Sequence, residues 1–144
     1  MRRDHEPPVA TERWGWRYHH TGIPTRHRRP GERYLARFRM YVSGFSDSPY
    51  GVEWMRFEAG SPVSKLVQTV PHVAFEVDDI DEALEGKHLL SAPGPPSPGV
   101  RVAMILDDGC PIELLEFAGK QRGAAASRAK SARGRSRAGN RKRR

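Results

Sequence analysis

In His72-Val73-Ala74-Phe75-Glu76-Val77-Asp78-Asp79, apolar Val73, Phe75 and Val77 alternate with His72, Ala74 and Glu76. This is the period-two pattern of a strand whose two faces meet unlike surroundings. Asp78 and Asp79 offer an N-cap, Ile80, Ala83 and Leu84 follow at helical spacing, and Gly86 ends the short helix. A short strand over residues 88–91, a turn-rich stretch over 92–99 and a strand over 100–106 are expected next. Asp107-Asp108-Gly109 is a tight-hairpin signal, and residues 111–117 form the last strand. The order is β-α-β-β-β.

A weaker version of the same order lies upstream. Residues 17–24 read as a strand, 35–44 as a longer one, and 51–58 as a third after the turn Ser46-Asp47-Ser48-Pro49. The Arg- and Pro-rich residues 25–31 occupy the place of a helix but lack apolar periodicity, so this helix is expected to be missing or reduced to a turn. The two halves open alike, at Tyr18-His19-His20-Thr21-Gly22-Ile23 and Val70-Pro71-His72-Val73-Ala74-Phe75. They also close alike, at Gly51-Val52-Glu53-Trp54-Met55-Arg56-Phe57 and Pro111-Ile112-Glu113-Leu114-Leu115-Glu116-Phe117. An internal repeat of roughly fifty residues explains this, since neither half alone could bury a sheet face. The fold class is therefore α+β: paired βαβββ modules over about residues 16–60 and 70–117, the first degenerate, forming a curved sheet with an open cleft.

Composition sets the outer limits. The 144 residues suit one domain, and the net charge of +8 suggests a polyanion binder until it is located. Residues 120–144 carry eleven Lys/Arg and no acid, which leaves 14 basic against 17 acidic side chains in residues 1–119. The basicity belongs to residues 118–144, whose Ala, Gly, Ser, Lys, Arg, Gln and Asn cannot bury enough surface to offset ordering, so a disordered tail is expected. Such a tail attracts nucleic acid weakly, without sequence preference, and it has no aromatic side chain on which bases could stack. Residues 1–13 read as a flexible arm and 14–117 as the folded domain. The charged arm contains no secretory apolar run, no stretch approaches a membrane span of about 20 residues, and Cys110 is the one cysteine. A cytoplasmic location is the expectation.

The repeat puts a histidine near the start and a glutamate near the end of each half: His20 and Glu53, His72 and Glu113. Two imidazoles and two carboxylates suit a divalent metal such as Zn²⁺, Ni²⁺, Co²⁺, Mn²⁺ or Fe²⁺. Strand parity sets His72 opposite Val73, Phe75 and Val77, and Glu113 opposite Ile112 and Leu114. His19 competes with His20 but points to the other face. Glu76 reads as one side of a cross-strand charge pair and Glu116 as exposed. Trp14, Trp16, Trp54, Met55 and Met104 read as core or dimer-interface residues, and His5, His27 and His88 as surface residues.

These stretches resemble the vicinal-oxygen-chelate superfamily, which includes glyoxalase I, extradiol dioxygenases, methylmalonyl-CoA epimerase and antibiotic-resistance proteins. The resemblance covers about residues 16–117, strongly in His72–Asp79 and Ile112–Phe117 and loosely in the first half. It implies that His20, Glu53, His72 and Glu113 match the four metal-ligand positions, with Glu113 or Glu53 moving a proton on a substrate held through neighbouring oxygens. The implied function is metal-dependent lyase, isomerase or epimerase chemistry on a small oxygen-rich metabolite. The alternatives are a ligand-sequestering binding protein and a dioxygenase of two histidines and one carboxylate. No segment marks a glutathione pocket. A homodimer is expected, since clefts of this family are often buttressed across a two-fold axis.

Overall fold

The alternation at His72 forms β5 (His72–Glu76), which lies at the middle of one eight-stranded sheet. The computed structural model describes residues 9–119. Within them the chain runs α1 (Val9–Trp14), β1 (Arg17–Pro24), β2 (Arg33–Leu35), β3 (Met40–Ser43), β4 (Val52–Phe57), α2 (Lys65–Thr69), β5, α3 (Ile80–Leu84), β6 (Leu89–Ser97), β7 (Val100–Asp107) and β8 (Cys110–Phe117). The sheet order is β2-β3-β4-β1-β5-β8-β7-β6. Its two halves are related: β1 pairs in parallel with β4, β5 in parallel with β8, and β1 and β5 meet antiparallel at the seam. The sheet curls into a half-barrel, the fold expected from the repeat.

The outer face of the second half carries the main core. Trp16, Phe75, Val77, Ile80, Ala103, Ile105 and Leu114 are buried together there, with Val73, Ala83, Leu84 and Ile112 packed against them. Asp79 caps α3, its Oδ1 accepting from the backbone N–H groups of Asp81 and Glu82. At the hairpin, Asp108 and Gly109 both adopt positive φ, the geometry of a two-residue turn that follows the twist of its strands. Among the described residues no helix covers the outer face of the first half, and residues 25–31 form none. Charged and aromatic groups cover it instead: Arg29 lies 4.6 Å from the Trp54 ring centre, and Arg56 sits 4.1 Å from that of Tyr41 while gripping Glu32 through two hydrogen bonds.

Four expectations are corrected. The arm is helical from Val9, and Trp14 at the end of that helix lies 4.8 Å from Trp16. The long strand over 35–44 is a hairpin, because the chain reverses through a 3₁₀ turn at Ala36–Phe38 and Arg39 at φ 48°. The turn-rich stretch 92–99 belongs largely to β6, an edge strand, where proline is tolerated, whose pairing with β7 is broken by register shifts. Glu116 is not exposed: it is 8% accessible, and its Oε2 accepts the Ile80 N–H at 2.8 Å. Glu116→Ala is accordingly expected to cost about 1–3 kcal/mol by leaving that donor unmatched, measurable as a lower urea midpoint. A change below about 0.5 kcal/mol would show the bond to be dispensable. The basic tail lies outside the described residues. No helix among the described residues is long and apolar enough to cross a membrane.

Candidate metal centre

The two strands at the seam and the strand beside them bring three of the expected ligands together. His20 on β1 is in register with Ala74 on β5, and Ala74 with Glu113 on β8. His20, Ala74 and Glu113 thus form a row across three strands with their side chains on the cleft face. Ala74 has 0% exposure, and its single methyl leaves the space above it to its longer neighbours. His72 is two residues before Ala74 on the same face, opposite Gly22. A Cβ at Gly22 would stand 2.2 Å from His72 Cε1, so the imidazole occupies the room that glycine leaves.

The donor atoms converge. Glu113 Oε2 lies 3.0 Å from His20 Nε2 and 2.9 Å from His72 Nε2, and the two nitrogens are 3.3 Å apart. Donors held about 2.1 Å from one cation at right angles stand about 3.0 Å apart. The three spacings therefore fit a single divalent ion with no rearrangement of the strands. Both imidazoles are buried, and His72 Nδ1 has no hydrogen-bond partner. Among the described residues this is the group of His, Cys, Asp and Glu side chains close enough to hold a metal.

Glu53 stands outside this group of three. It is in register with Gly22 on the other side of β1 and lines the same cleft as His72 and Glu113. Burial pushes its carboxyl above the usual range, only partly offset by the neighbouring His20. Burial alone would also raise Glu113, but hydrogen bonds from His20 and His72, with their charge, outweigh it and hold that carboxyl at about 2. His20 is correspondingly raised: burial opposes its charge, and the bond to Glu113 overcomes the penalty. The two glutamates are thus set apart, one a fixed anion and one a more basic carboxylate.

His19 is the site residue that strand parity assigned to the wrong face. The register of β1 against β5 shifts between Tyr18 and His20, and the extra residue of this bulge turns His19 into the cleft beside His20. The Nδ1 atoms of the two rings are 2.7 Å apart. His19 is stacked on Phe45 at 5.1 Å, and burial together with the charge of His20 lowers its pKa, against the smaller opposing pull of Glu76 and Glu113. If Nε2 of a neutral His20 is given to a cation, its proton sits on Nδ1 and donates to His19, which fixes the tautomer. His19→Phe keeps the stacking and removes the acceptor, so Co²⁺ affinity is expected to fall about tenfold or more. An unchanged affinity in a Co²⁺ titration would remove His19 from the site. The adjacent pair of histidines was visible in the sequence; the bulge that turns both inward was not. The other expected pair is present, with Arg17 and Glu76 in register and 3.8 Å apart.

Of the three donor residues, His72 and Glu113 line a cleft of about 730 Å³, in the size range of small-molecule sites, and His20 is buried beside them. No protein-family model matches the sequence, and no curated protein matches it. Among solved structures, a hypothetical protein from Bacillus halodurans is similar at 18% identity and a TM-score of 0.57, over 73% of this chain and 96% of that one. The methylmalonyl-CoA epimerase of Mycobacterium tuberculosis is similar at 18% identity and a TM-score of 0.51, over 74% of this chain and 91% of that one. At this identity the likeness is one of fold: the chain has a vicinal-oxygen-chelate-like architecture that it shares with an epimerase.

Proposed function

We propose that this chain is a metal-dependent enzyme of the lyase, isomerase or epimerase kind, acting on a small oxygen-rich metabolite. The observation that carries the reading is the convergence of His20 Nε2, His72 Nε2 and Glu113 Oε2, 2.9–3.3 Å apart, with His72 and Glu113 lining an open cleft. A divalent cation bound there supplies Lewis-acid stabilisation of negative charge developing on a substrate oxygen. His20, His72 and Glu113 are the ligands. Of the two roles open to Glu53, fourth ligand and proton carrier, its raised carboxyl favours the second, while the depressed carboxyl of Glu113 makes that group a poor base. The Glu53 carboxylate takes a proton from the carbon beside a carbonyl, and the C–H electron pair moves toward the carbonyl oxygen. Return of the proton completes isomerisation or epimerisation. The likeness in fold to an epimerase supports this class of reaction.

The test is carbon-bound proton exchange. Protein loaded with Zn²⁺, Co²⁺, Ni²⁺ or Mn²⁺ is incubated in D₂O with a panel of α-hydroxyketones and branched acyl thioesters, followed by proton NMR. Metal-dependent exchange is expected with at least one compound, reduced about a hundredfold or more by Glu53→Gln while metal uptake persists. Absence of exchange across the panel, or exchange indifferent to Glu53, would overturn the assignment. One observation favours a second reading. Two histidines and one carboxylate are the ligand pattern of iron(II) dioxygenases. Oxygen consumption by the Fe²⁺-loaded protein with catechols, without proton exchange, would select that reading.

A further inference from the structure

The cleft is not uniformly lined. Apart from His19 and the donors at its floor, its walls are largely apolar, with Met40, Val42, Met55 and Met104 among them. Two cationic side chains line it, Arg33 and Arg37, both toward the β2 edge. Arg33 is in register with Val42, and Val42 with Met55, so the three lie across the sheet on the cleft face. Among the described residues the Arg33 side chain makes no hydrogen bond and no ion pair, although its charge is felt by Glu53. A guanidinium left without a partner beside an apolar floor is a fork for a carboxylate.

We infer that the cleft takes an elongated amphipathic acid: a carboxylate at Arg33, an apolar body over Val42 and Met55, and its oxygen functions over His20, His72 and Glu113. This deepens the functional reading above and rests on it for the far end of the ligand only. From β1 to β2 the floor spans three interstrand steps of about 4.8 Å each, and the Arg33 row meets β1 at Pro24, four residues or about 13 Å along the strand from His20. A two- or three-carbon acid cannot reach both ends, and a body longer than about eight carbons is needed. The Arg33 end therefore selects for length as well as charge.

The experiment uses the full chain, stripped of metal with EDTA, and probes that cannot chelate: octanoate, octanamide and acetate, followed by isothermal titration calorimetry. Octanoate is expected to bind about tenfold or more tightly than octanamide, the scale of a charge-assisted bond, and acetate not measurably. Arg33→Gln should reduce octanoate to the affinity of octanamide. Arg33 is exposed and unbonded, so a matching circular dichroism spectrum will show the fold retained. The preference should survive in His72→Ala/Glu113→Ala, which separates this inference from the metal reading. Equal binding of octanoate and octanamide, no binding of octanoate, or a preference that Arg33→Gln leaves intact would overturn it.

Discussion

Replacing His72 and Glu113 together by alanine is expected to abolish stoichiometric uptake of Co²⁺ or Zn²⁺. Two of the three converging donors disappear, and His20 alone offers a single ligand atom. The loss should be at least about a thousandfold, or roughly 4 kcal/mol at 1.4 kcal/mol per decade. Visible absorption of Co²⁺, with elemental analysis after dialysis, measures it directly. The double variant is the informative one because it removes both members of a buried bonded pair and leaves one imidazole, His20, with its contact to His19. A single change would leave a desolvated carboxylate or imidazole unmatched, and misfolding could then be mistaken for lost coordination. A double variant that still carries one equivalent of metal after dialysis would remove these residues from the site.

Adding a single methyl group at Gly22 should be nearly as damaging. The new Cβ would meet His72 Cε1 at 2.2 Å and both ring nitrogens at 2.7 Å, closer than real Cβ contacts allow. The backbone on either side is paired, Gly22 with His72 and also with Glu53, so the strand cannot simply retreat. The imidazole must move instead, taking Nε2 away from Glu113. Gly22→Ala is expected to lower Co²⁺ affinity about a hundredfold and, as an overpacking change, to cost about 1–3 kcal/mol of stability. Gly94 is the control, because nothing lies within 4 Å of a Cβ added there and its φ is not positive. Gly94→Ala should leave Co²⁺ uptake unchanged. If Gly22→Ala binds Co²⁺ as tightly as the parent, the ring does not depend on the glycine.

The parts of this molecule that could be read from its sequence are those governed by period and by repeat. His72–Glu76 alternates because one face meets α3 and the other the cleft, and the pattern fixed which side His72 would take. The matching ends of the two halves put His20 and His72, and likewise Glu53 and Glu113, at equivalent strand positions, which no single motif could have done. What stayed hidden are departures from regular pairing. The bulge that turns His19 inward changes parity without leaving a mark in composition. The reversal at Arg39 uses a left-handed residue that is neither glycine nor asparagine, so the chain reads straight through a hairpin. α2 spans five residues, too few for a helical period, and only the Ser64 cap announces it. Glu116 looked like the outward member of an alternating strand, yet it serves the first backbone donor of α3.

The seam has a consequence for how the protein holds together. β1 and β5 are the pairing through which the halves join in the sheet, and they carry His20 and His72 respectively. Parting the halves therefore parts the two imidazoles, so an ion that grips both acts as a clasp between the repeats. By mass action, whatever free energy the ion gains from the joined form is added to the cohesion of that joint. Occupancy of the centre should then register as slowed amide exchange along this one junction, while the outlying hairpins open at their own rate.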